Sequence, residues 1–80
     1  MRVLLFGRLG DLAGWRERVI DPHLERLSDL KAYLAAEDAA LGEALAGRGV
    51  QAAVNLALVR GDARLPLACE VAFLPPMSGG

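Results

Sequence analysis

Apolar residues gather at the two ends of this chain and recur with helical spacing in its middle. Arg2–Gly7 reads RVLLFG, a short apolar run closed by a turn residue, which is the pattern of a strand buried on both faces. RLGDLAG then reads as a glycine-punctuated loop with a helical turn that tucks in Leu9 or Leu12. WRERVID, Trp15–Asp21, is half charged and ends at Asp-Pro, as an edge strand before a turn does. In LSDLKAYLAAEDAALGEALAG, the residues Leu30, Tyr33, Leu34, Leu41 and Leu45 form one apolar stripe. Ser28 is placed to cap a helix and Asp29 to favour its first turn, so a helix is expected over residues 29–36. A second short helix or turn follows and stops near Gly47 or Gly49. VQAAVNLALV, Val50–Val59, returns to β-branched and small residues and predicts a strand. RGDARLPLACE reads as turns around a short strand. EVAFLPP is a last strand ended by Pro75 and Pro76, neither of which can donate to a ladder.

The order β-β-α-β-(β)-β predicts an α+β fold, a mixed sheet of four or five strands with one main helix on one face. This is the layout of the ubiquitin-like β-grasp. The most apolar strands belong at the sheet centre, so Arg2–Gly7 should lie beside Glu70–Leu74. Side chains alternate across a strand, and only one face can meet the helix stripe. Val3, Leu5, Val71 and Phe73 are therefore expected in the core. Leu4, Phe6, Ala72 and Leu74 are left on the open face, an apolar patch that predicts a partner interface.

Composition narrows the function. Eighty residues form one domain, residues 1–80, with 74–80 expected as a flexible C-terminal tail. Apolar content of 54% beside 24% charge fits a folded protein and argues against a disordered one. A net charge of −1 provides no electrostatic footprint for nucleic acid. Cys69 is the single cysteine, so no internal disulfide can form, and it is read as structural or incidental rather than as a sulfur relay. The N-terminal apolar run is too short for a signal peptide or a membrane span, and a cytoplasmic location is expected. One histidine, His23, and one cysteine make no metal site. Ser28 and Ser78 have no base to activate them, and the glycines of GRLGDLAG lack the lysine of a phosphate loop. Alone, the chain is not expected to be an enzyme.

The ending FLPPMSGG carries the remaining signal. Pro75 and Pro76, with fixed φ, hold the base of the tail extended, while Gly79 and Gly80 let the walls of a narrow channel approach the backbone. Pro75 to Gly80 can span about 20 Å, far enough to reach a buried catalytic site while the domain stays docked outside. The functional group is expected to be the carboxylate of Gly80, with Pro75, Pro76, Met77, Ser78 and Gly79 as the threading segment.

VLLFGRLGDLAG, Ala53–Asn55 (AVN) and EVAFLPPMSGG resemble, in the right order and over essentially the whole chain, the MoaD-like sulfur carriers of the MoaD/ThiS family. These are the small subunits of molybdopterin synthase. The resemblance implies that a ubiquitin-activating-like adenylyltransferase, using ATP and magnesium, joins the Gly80 carboxylate to AMP. A sulfur-donating enzyme then supplies the sulfur of a C-terminal thiocarboxylate. The tail next enters the large subunit of molybdopterin synthase and donates that sulfur to a cyclic pterin precursor. Carriers for thiamine or cysteine biosynthesis share this tail logic, and ubiquitin-like protein modifiers share the fold. One family feature is replaced: the Asp-Gly-Asp-type turn before the last strand reads Leu67, Ala68, Cys69 here, which makes a left-handed turn less comfortable.

Overall fold

Alternating apolar positions at both ends of the chain meet in the middle of one sheet. The structure is a computed structural model and describes residues 1–76. β1 (Arg2–Leu5) and β5 (Glu70–Leu74) lie side by side and parallel, in the register Val3 to Val71 and Leu5 to Phe73. β2 (Glu17–Val19) flanks β1 as an antiparallel edge strand. On the other side β5 pairs antiparallel with β3 (Gln51–Val54), which pairs with β4 (Ala57–Val59). The order β2-β1-β5-β3-β4 is the β-grasp arrangement, and β5 is its central strand.

Three helices cover one face: α1 (Arg8–Ala13), α2 (Leu27–Glu37) and α3 (Ala39–Leu45). The apolar stripe holds, with Leu30, Leu34, Leu41 and Leu45 buried and Tyr33 packed at the margin. The expected turn after Gly7 is a full short helix that buries Leu9 and leaves Leu12 exposed. Val3, Leu5, Val71 and Phe73 sit in the core, as alternation requires.

Two local expectations are corrected. Residues 50–59 are not one strand but a hairpin, because Asn55 (φ 48°) and Leu56 (φ 70°) turn the chain through the left-handed region. Asparagine tolerates that conformation, leucine adopts it at a cost, and the turn lacks the glycine that usually announces it. The fifth strand is thus β4, and residues 60–69 contribute only an isolated bridge between Arg64 and Arg26. The second correction concerns Ser28, which is the second residue of α2 and not its cap. Its amide and its hydroxyl both donate to Asp62, at 2.8 Å each, and Arg26 Nε donates to the same carboxylate at 2.9 Å. A carboxylate from the β4–β5 loop therefore satisfies the first turn of the helix, a job usually done by a local cap. Asp29 accepts from the Arg26 amide, which completes the helix start.

Candidate functional site

β5 carries the chain through the centre of the sheet and delivers Pro75 and Pro76 at its end. Both prolines are half-buried. Gly7, just after β1, has φ +56°, and a Cβ there would stand 3.0 Å from Pro75 Cγ. Gly49, just before β3, has φ +85°, and its Cβ would stand 2.8 Å from Pro76 Cβ. A side chain at Gly49 would collide with Pro76, and one at Gly7 would force Pro75 to give by a few tenths of an ångström, so the two glycines form a collar around the paired prolines. Met77, Ser78, Gly79 and Gly80 lie outside the described residues.

Beside the collar is the open face of the sheet. Strand pairing lines up Glu17, Leu4, Ala72, Ala53 and Leu58 across the five strands. Leu74 lies opposite Gln51 near the tail exit, and Phe6 follows β1 at the same end. Phe6 is 47% exposed and Leu58 62% exposed, while Leu4 and Leu74 are half-buried. Ala72 corrects the sequence reading: it lies on this face but is only 9% exposed. Its short side chain sits on the central strand between Leu4 and Ala53, so its neighbours shield it. It forms the flat floor of the face. The opposite end of the face is polar, where Arg2 bridges Glu17 at 2.7 Å and Glu70 at 3.4 Å.

Sequence reasoning missed Ala53 and Leu58 as members of this face. The alternation of QAAV held the signal for Ala53, but Leu58 could be placed only once the hairpin was known. Leu56, at the hairpin tip, is 88% exposed. Asn55 holds that hairpin to β5 from both sides: its amide donates to the Glu70 carbonyl at 2.8 Å, and its side-chain oxygen accepts from the Glu70 amide at 2.9 Å. Ala68 keeps the left-handed turn before β5 at φ 54° without glycine. Cys69 is buried in the core, and burial pushes its thiol above the usual range, which keeps it protonated and poorly nucleophilic. No helix among the described residues is long and apolar enough to cross a membrane.

No curated protein matches the chain in sequence. Among solved structures, the small archaeal modifier protein SAMP1 from Haloferax volcanii superimposes with a TM-score of 0.82 at 23% identity, covering 99% of this chain and 97% of that one. SAMP1 from Methanosarcina acetivorans gives a TM-score of 0.80, also at 23% identity, covering 99% of this chain and 94% of that one. Both establish the fold. The model of the ThiS family matches residues 3–80, from the first buried valine through the terminal Gly-Gly. With that match laid over a β-grasp sheet, the chain belongs to the ThiS family.

Proposed function

We propose that this domain is a cytoplasmic sulfur carrier of molybdenum-cofactor biosynthesis, the small subunit of molybdopterin synthase, and that it works through the carboxyl group of Gly80. The observation that carries this reading is the family match running through Gly80, on a chain whose central strand feeds directly into the Pro75–Pro76 tail base. The Pro75-Pro76-Met77-Ser78 ending favours the molybdopterin pathway, since thiazole carriers usually lack it and are shorter.

The chemistry is a two-stage activation. A Gly80 carboxylate oxygen attacks the α-phosphorus of ATP on the adenylyltransferase, with magnesium held there, and pyrophosphate departs. A sulfide-level nucleophile from the sulfur-donating enzyme then adds to the acyl carbon and displaces AMP, leaving a thiocarboxylate. In the large subunit the thiocarboxylate sulfur attacks a carbon of the pterin precursor and displaces an oxygen leaving group from it. Water then cleaves the acyl–sulfur bond, which restores the Gly80 carboxylate and leaves the sulfur as a thiolate on the pterin. The carrier contributes binding and reach, and the open face with Phe6, Leu4 and Leu74 docks its partners in turn.

A second reading is favoured by the structural likeness to SAMP1, whose name describes a modifier: the Gly80 acyl group would pass to a lysine amine of a target protein. Intact-mass analysis after incubation with ATP, the adenylyltransferase and a sulfur donor separates the two. One oxygen replaced by one sulfur, lost when Gly80 is deleted, is the expected result for a carrier. A chain that never gains sulfur but appears in isopeptide linkage to other proteins would overturn the carrier reading.

A further inference from the structure

On the side of the tail exit opposite the open face, α1 and α3 pack together and leave a groove of about 490 Å³. Leu9, Leu12, Ala44 and Val50 line it, and Pro75 and Pro76 close its end. Arg8 and Arg48 stand exposed on its rim, one following β1 and the other preceding β3. Among the described residues neither takes part in an ion pair, nor do Arg60 and Arg64, whereas Arg2, Arg16, Arg18 and Arg26 all do. The one acid of the lining, Asp11, is already paired with Arg16. The groove is therefore an apolar slot with an uncompensated positive rim, built against the base of the tail.

We propose that this groove docks an aliphatic, carboxylate-bearing segment of the adenylating enzyme, a second contact distinct from the open face. The inference rests on the carrier reading above. Geometry supplies the first argument. Four residues beyond Pro76 reach at most about 13 Å, so an enzyme that takes Gly80 into its active site must come close around Pro76 and hence over the groove. The collar supplies the second, because Gly7 and Gly49 seat the prolines closely and make the groove wall a fixed surface. Charge supplies the third. Adenylation drives a carboxylate against a triphosphate, a like-charge approach that must be offset by binding energy from remote contacts. Two unpaired guanidinium groups beside the tail provide such contacts to partner carboxylates and steer the encounter.

The test is carrier-dependent ATP–pyrophosphate exchange with the ubiquitin-activating-type enzyme of the same organism, over a range of salt. The double variant Arg8→Glu/Arg48→Glu is compared with Arg60→Glu/Arg64→Glu, which changes net charge identically on exposed arginines remote from the groove. The groove variant should raise KM for the carrier by about tenfold or more at low salt with kcat nearly unchanged, and the gap should narrow as salt screens the rim. Leu12→Asn should raise KM with little salt dependence, since it removes apolar contact and no charge. Circular dichroism melts confirm that each variant is folded. Equal KM values for the two double variants would overturn the groove while leaving the carrier reading intact. A wild-type chain that stimulates no exchange would remove both.

Discussion

Phe73 and Leu74 are neighbours in one strand and occupy different media. Phe73 is fully withdrawn from solvent among Leu5, Ala52 and the helices, whereas Leu74 shares with Phe6 and Leu58 a face that no described element covers. Backbone, strand and hydrophobicity are common to both, so the difference lies wholly in which side of the pleat each residue takes. On the helix side apolar area stabilises the fold. On the open side comparable residues leave apolar surface in water, which soluble domains retain mainly where a partner covers it. Pro75 and Pro76 follow directly on this strand, at the edge of both faces.

The largest effect that could break this contrast comes from exchanging a residue on each side. Phe73→Ala should cost about 3–5 kcal/mol in urea unfolding, enough to unfold much of a domain this small. Phe6→Asp should change stability by no more than about 1 kcal/mol while lowering affinity for the proposed partner, the large subunit of molybdopterin synthase, by about tenfold or more in calorimetry. Unchanged affinity, or a stability loss matching that of Phe73→Ala, would erase the distinction between the faces.

A smaller test concerns the boundary between them, at the collar. Gly49 and Gly61 both have left-handed φ, but a Cβ meets Pro76 at the first and nothing within 4 Å at the second. Alanine at either position carries the backbone penalty of about 1 kcal/mol, and Gly49→Ala should add about 1–3 kcal/mol from the clash. Equal melting temperatures for the two variants would show that the prolines are not held there.

The smallest effect concerns the helix side alone. The Arg26 guanidinium, followed by the Ser28 amide and hydroxyl, holds the Asp62 carboxyl well below its ordinary value of 3.8. A carboxyl depressed on folding adds stability above its unfolded value, and that stability is lost as pH falls through the folded value. Wild type should therefore melt above Asp62→Asn at neutral pH, and the difference should shrink progressively below about pH 3.8. The group is exposed, so the gain is modest, and a difference independent of pH would remove the electrostatic account of this helix start.

The arrangement of β1 and β5, the assignment of Val3, Leu5, Val71 and Phe73 to the core, and the helical stripe were all legible in the chain. The core assignment and the stripe rest on periods of two and of about 3.6 residues, local properties of the backbone, and the placing of β1 beside β5 rests on the apolar character that both strands share. The stop of β5 before Pro75 and Pro76 was also legible, since proline acts through its own φ and its missing donor. What could not be read were the specific contacts between distant residues that no local pattern announces. The hairpin at Asn55 and Leu56 carries no glycine to mark it, and its geometry is held by Glu70 on another strand. The start of α2 is satisfied by Asp62, thirty-four positions from Ser28. Gly7 and Gly49 meet Pro75 and Pro76 only after the sheet has closed, and the groove beneath them needs α1, α3 and the tail base together. Periodicity tells a side chain which way to face, but long-range packing chooses what it faces.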